Sequence, residues 1–276
     1  MDKRRIGMTA LAVLMIASLG TAALLEYFDQ MNTKVEVEQS VILTEGSLSF
    51  SNPIYGGEEA CQDYQLENRA SIPITVELKP GCSTDALLCD SCPEMVRTDY
   101  TVLTLVTKDN TDWSETGEAG TLVFKTVNEK FDYTLEVSGL AANTEYDLIY
   151  YADPWTGNNP GALIGTVTTD DTGAVSASDS VELGMDLPAT GDDNLAEGAK
   201  IWLVPSTDYD GGEMVAWNPG SYLFERNLVT YKDGSGPTVL TIMSNGTVDM
   251  RVCSVFDVAT CPGNYTISTS VVPVVP

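Results

Sequence analysis

Beyond residue 33 the chain is written largely with a period of two, and that constrains its fold more than any other feature. Residues 34–43 (KVEVEQSVIL) set Val35, Val37 and Val41 on one face. Residues 72–78 (IPITVEL) alternate in the same way, and Pro73 suits a strand start or an edge. Comparable runs fall at 100–107, 121–127, 131–137, 147–151, 163–169, 174–183, 200–204, 221–231, 238–243, 249–257 and 264–272. Around thirteen short strands punctuated by Gly, Pro, Asn and Asp, with no amphipathic helix of useful length among them, predict an all-β protein. One β-sandwich rarely needs so many strands. The expected architecture is therefore two β-sandwich modules. Residues 34–97 and 238–276 make a discontinuous sandwich, and residues 98–231 make a second one inserted into it. The turn Asp170-Asp171-Thr172-Gly173 is read as closing a hairpin between 163–169 and 174–183. Residues 232–237 (KDGSGP) are read as a linker or tight turn.

Ahead of this body stands a leader. Lys3-Arg4-Arg5 precedes residues 6–25, which carry no charge and are long enough, at about 30 Å as an apolar helix, to span a hydrocarbon core. Residues 1–25 are expected to be a signal peptide or membrane anchor, with Thr21-Ala22-Ala23 offering small residues to a signal peptidase. A pilin-type cut after Gly7 is the other processing route, although Ile6 stands where such sites carry a cation. In either main reading the basic residues stay inside and the chain after Leu25 faces out, at the cell surface or beyond it.

Charge and composition then exclude several classes of function. The chain has 14 Lys and Arg against 40 Asp and Glu, a net charge of −26. Such a surface repels nucleic acid and anionic lipid headgroups. There is no histidine, which removes Ser-His and Cys-His nucleophile pairs, the HExxH zinc motif and imidazole acid–base chemistry. A carboxylate-based hydrolase remains as a remote alternative, but no catalytic residues stand out.

The six cysteines are Cys61, Cys82, Cys89, Cys92, Cys253 and Cys261. An even number in an exported protein points to disulfides. Cys253 and Cys261 flank a short loop and are expected to clip a hairpin, which leaves three pairings open for the other four. A four-thiolate zinc site using Cys89-x-x-Cys92 is the rival reading. Asn245-Gly246-Thr247 and Asn264-Tyr265-Thr266 are glycosylation sequons. Asp208 and Asp210, and Asp192 and Asp193, lie in oxygen-rich loops of the kind that hold calcium, the one cofactor considered, though solvated turns have the same composition. Trp113, Trp155 and Trp217 all sit in loops near Gly, Pro or Asn. Coplanar on one face they would make a stacking platform for sugars, and otherwise they cap the end of a core.

Three stretches carry a family resemblance: the leader running into LLEYFDQMNTKVEVEQSV, the strand LENRASIPITVEL and the closing PGNYTISTSVV. Together they resemble the TasA/camelysin family of exported, jelly-roll-like surface proteins. Several members form matrix fibres by donor-strand exchange, and the resemblance would make residues 34–43 the donor strand. The cysteines and the 98–231 segment are additional to the family pattern, and the absence of histidine is at odds with the zinc-protease label attached to camelysin. Separately, Leu140-x-x-x-Thr144-x-Tyr146 before a strand looks like the tyrosine corner of fibronectin-type and Ig-like sandwiches. The leading expectation is a non-enzymatic exported surface protein with a structural or adhesive role, built to meet copies of itself or other surface proteins. A glycan- or calcium-binding module is the alternative.

Overall fold

The computed structural model describes residues 41–45, 57–84, 95–151, 161–193, 197–257 and 265–274. The leader, and with it the expected N-terminal helix, lies outside these residues. So do Cys89, Cys92, Cys261, Trp155, Asn264 and most of the expected donor strand. No helix among the described residues is long and apolar enough to cross a membrane.

The described residues are predominantly β, as the alternation requires. In chain order the strands are β1 (Val41–Glu45), β2 (Glu59–Asn68), β3 (Ile74–Thr84), β4 (Met95–Lys108), β5 (Glu115–Lys125), β6 (Val127–Asn128) and β7 (Phe131–Val137). There follow β8 (Glu145–Tyr150), β9 (Ala162–Thr168), β10 (Val175–Val181), β11 (Ile201–Pro205), β12 (Tyr209–Asp210), β13 (Glu213–Met214) and β14 (Phe224–Glu225). The last are β15 (Lys232–Asp233), β16 (Thr238–Ile242), β17 (Thr247–Phe256) and β18 (Tyr265–Pro273).

One large sheet runs β1-β2-β17-β4-β5-β7-β10, with β14 added alongside β4. Two smaller sheets, β16-β3-β18 and β11-β8-β9, accompany it. One apolar cluster joins Val41, Tyr64, Leu66, Val248 and Met250 of the large sheet to Val76, Leu78, Leu240 and Ile242 of β3 and β16. Another joins Leu103, Leu122, Phe124, Phe131 and Leu135 to Tyr146, Leu148, Tyr150, Ile164, Ile201 and Leu203 of β8, β9 and β11.

The large sheet crosses the expected module boundary without a break. Residue 97 falls inside β4, and β17 pairs with β2 on one side and β4 on the other. Arg97 and Asp99 stand at that boundary. In the fold they are largely buried partners, with Arg97 Nε 2.8 Å from Asp99 Oδ1, so each offsets the other's desolvation and the strand continues through them. The far junction is also tied down. Lys232–Asp233 pairs with Val127–Asn128, and the Lys232 ammonium meets Asp186 at 2.5 Å. It is not a free linker.

Two pairings differ from expectation. The turn at Asp170–Gly173 forms, with the Asp170 carboxylate accepting from the Thr172 and Ala174 N–H groups. It is not a hairpin, because β9 pairs with β8 while β10 pairs with β7 in the large sheet. The turn is a corner between sheets. The expected Cys253–Cys261 clip is replaced by a Cys61–Cys253 disulfide. The reason is register: the two cysteines face each other on the neighbouring strands β2 and β17, with Cα atoms 4.0 Å apart. That is the close approach of an antiparallel pair. Cys82 is disulfide-bonded as well, which leaves it no thiolate for a zinc site. At the entry to β8, Tyr146 Oη accepts a hydrogen bond from the Ala141 N–H at 3.2 Å, a tie between corner and strand of the kind expected there.

Candidate functional site: an aromatic pocket

The site is built where β8 and β11 are buried on both faces. Alternation along Ile201–Pro205 sends Ile201 and Leu203 into the cluster shared with the large sheet, and Trp202 and Val204 to the opposite side. Along β8, Ile149 and the following Tyr151 join Trp202 there, together with Val106, Tyr209, Met214, Tyr222 and Phe224. Phe224 arrives through β14, which pairs with Val106 and Leu105 beside a bulge in β4.

The rings form a ladder from core to solvent. Trp202 stacks on Tyr151 with centroids 3.8 Å apart and meets Phe224 edge-on at 4.9 Å. Trp113 packs edge-on against Phe224 at 5.6 Å, and Trp217 lies 5.9 Å from Trp113 and 6.0 Å from Trp202. Tyr222 and Phe224 are buried at 1% exposure, whereas Trp217 and Trp113 are exposed by 40% and 46%. Two indoles from loops a hundred residues apart in sequence thus meet at the mouth of one pocket. Its volume is about 340 Å³, and it is lined by these rings with Lys108, Lys200 and Glu225.

Each exposed indole is held by its own loop. Trp113 has φ 62°, a left-handed backbone that a bulky residue adopts only under constraint. Hydrogen bonds supply it: Trp113 N–H to Asp109 C=O at 3.0 Å, Thr111 N–H to Asp109 Oδ1 at 2.7 Å, and Ser114 N–H to Asp112 Oδ1 at 3.0 Å. The Thr111 N–H and hydroxyl hold the Asp109 carboxyl below its ordinary value, and the Ser114 hydroxyl and N–H do the same for Asp112. Behind Trp217, the Tyr222 hydroxyl donates to Asp208 Oδ2 at 2.8 Å and accepts from the Asn218 N–H at 2.7 Å. Asn218 Nδ2 also donates to Asp208 Oδ2 at 2.9 Å. Burial, with the Asp208 carboxylate beside it, pushes the Tyr222 phenol well above its ordinary range.

The charged groups are unusual for so apolar a place. Glu225 is 7% exposed, and Trp202 Nε1 donates to its Oε2. Burial raises its carboxyl to about 7, against the opposing pull of Lys108, the Trp202 N–H and Lys200. Lys108 Nζ lies 4.0 Å from Glu225 Oε1 and 5.4 Å over the Phe224 ring. Lys200 Nζ lies 5.6 Å over the Tyr151 ring. Both are cation–π distances.

Of the residues singled out in the sequence, the structure therefore brings Trp113 and Trp217 together, with their rings tilted by 49° instead of coplanar. The aspartates are arranged differently from a calcium loop. Asp208 is buried and spends Oδ2 on Tyr222 and Asn218, while Asp210 is exposed. Asp192 is buried and accepts from the Tyr150 hydroxyl, while Asp193 is exposed. Among the described residues the one group of Cys, Asp or Glu side chains close enough to share an ion is Glu59, Cys61 and Cys253. There the two sulfurs are already bonded to each other. Asn245 is exposed at a turn with φ 54°.

Sequence reasoning missed Lys108, Tyr151, Lys200, Trp202, Phe224 and Glu225 because each sits in or beside a strand and reads as core or as solvated edge. The available signal was Glu225 itself, a carboxylate inside the run Tyr222-Leu223-Phe224-Glu225. No family model, curated protein or solved structure matches this chain.

Proposed function

We propose that this is a non-enzymatic, exported cell-surface protein with an adhesive role, and that its point of contact is a carbohydrate held at the aromatic pocket. The observation that carries the reading is the paired exposure of Trp113 and Trp217 over a pocket floored by Trp202, Tyr151 and Phe224. Sugar rings present flat C–H faces that stack on indoles, and a tryptophan held at a surface by its own hydrogen-bonded loop is pre-organised for such a contact. The two apolar clusters support describing the body as two β-sandwich modules that share one sheet. Asn245, exposed at its turn, is the proposed glycan acceptor. The reading is tested by calorimetric titration of the purified protein with a panel of neutral and acidic oligosaccharides. Binding to at least one of them, lost in Trp113→Ala and Trp217→Ala, is expected. Absence of heat across the panel overturns it.

A second reading, a filament subunit joined by strand addition, is favoured by a separate observation. β1 is the outermost strand of the large sheet and pairs only with β2 among the described residues. An edge of this kind is where a neighbour's strand can be added or exchanged. Fibres in electron micrographs of concentrated protein support it, and a monodisperse monomer at high concentration removes it.

A further inference from the structure

We infer that the pocket selects acidic saccharides, with the carboxylate of a hexuronic acid residue held by Lys108 and Lys200 while its ring stacks on one indole of the Trp113–Trp217 pair. The inference rests on the carbohydrate reading above and adds the substrate class.

The argument starts from what the polar groups of the lining can offer. A neutral sugar is usually recognised by carboxylates and amides that accept and donate to neighbouring hydroxyls. Here the one carboxylate, Glu225, is buried and engaged by Trp202 Nε1. The other polar groups of the lining are the Tyr151 hydroxyl, the Trp113 and Trp217 indole N–H groups and the two ammonium groups, and all but the hydroxyl only donate. A lining weighted toward donors, two of them cationic, matches a ligand rich in anionic acceptors.

The second part is electrostatic. The chain carries 40 acidic residues against 14 Lys and Arg, so most of its surface repels an anion. Two lysines converging on one pocket, with one carboxylate between them and their charge, leave a local positive excess in that field. An acidic saccharide is steered away from the rest of the molecule and toward this spot. The rings hold the geometry: the ammonium groups stand over Phe224 and Tyr151 at 5.4 and 5.6 Å. Each lysine is thereby extended along the pocket wall instead of out into solvent.

The test uses the full chain and three ligands of one length: a linear hexuronate oligosaccharide, its carboxyl methyl ester and the corresponding neutral oligosaccharide. Calorimetry is expected to show the acid binding at least about tenfold tighter than either uncharged form, the worth of one charge-assisted contact. The variant Lys108→Met/Lys200→Met keeps an unbranched stem without the charge, and it is expected to erase that preference, bringing the affinities for acid and ester within about threefold of each other. Equal affinity for acid and ester overturns the inference and leaves the carbohydrate reading standing. A preference for the acid that survives the double substitution overturns the assignment to these lysines. No binding of any ligand overturns the carbohydrate reading together with the inference.

Discussion

At the scale of single residues, the fold depends on polar groups that the sequence presents as ordinary. Asn68 is fully buried. Its Nδ2 lies within hydrogen-bond reach of the carbonyls of Ile72, Ile242 and Met243 at 2.8, 3.0 and 2.9 Å, and its Oδ1 accepts from the Ala70 N–H. One amide thus ties β2, the turn after it and the end of β16. Nothing local in Glu67-Asn68-Arg69 signals this, because the partners lie up to 175 positions away. Glu225 is the other such residue, and its behaviour follows from burial. Its carboxyl rises from an ordinary 4.5 to about 7 on folding. Between those values the unfolded chain has released the proton and the folded chain still holds it. Stability therefore falls as pH rises through this window, by about 3 kcal/mol in total. Glu225→Gln cannot ionise and still accepts from Trp202. Urea denaturation is expected to find the variant more stable than the parent by about 1–3 kcal/mol at pH 8 and not at pH 4.5. An equal difference at both pH values contradicts this account of the site.

At the scale of elements, strand positions were legible where alternation was clean, and strand partners were not. Phe131–Val137 forms where its pattern places it, and Ile201–Pro205 lies within one residue of the expected 200–204. β9 and β10 show what the pattern omits. The turn chemistry of Asp170–Gly173 is local and correctly read, but whether two strands share a sheet depends on which cluster each one faces. The disulfide makes the same point. Spacing favoured Cys253 with its near neighbour, whereas the sheet sets Cys253 opposite Cys61, 192 residues away in sequence. A link closing so long a loop removes much entropy from the unfolded chain. Cys61→Ala/Cys253→Ala is expected to lose about 3–5 kcal/mol in denaturant titrations. A loss well under 1 kcal/mol contradicts a stabilising role for this link across β2 and β17.

At the scale of the whole molecule, the shared sheet predicts coupled unfolding. All four tryptophans, at 113, 155, 202 and 217, lie in the segment expected to be a separate inserted module. Leu66, fully buried in β2, belongs to the other apolar cluster. Because β17 hydrogen-bonds to both β2 and β4, Leu66→Ala is expected to lower the midpoint of tryptophan-detected unfolding, at a cost of about 2–4 kcal/mol. An unchanged midpoint contradicts coupling through that sheet. The aromatic pocket was only partly legible for the same long-range reason. Two of its tryptophans stood out as loop residues, but their meeting depends on β8, β11 and β14 converging. The account as a whole stands on that meeting place binding a saccharide. Its most direct test is calorimetry of an oligosaccharide panel against the parent protein, Trp113→Ala and Trp217→Ala, with circular dichroism verifying that each variant is folded. Saturable binding by the parent and its loss in both folded variants is predicted, while binding that both variants retain, or no binding by the parent, contradicts it.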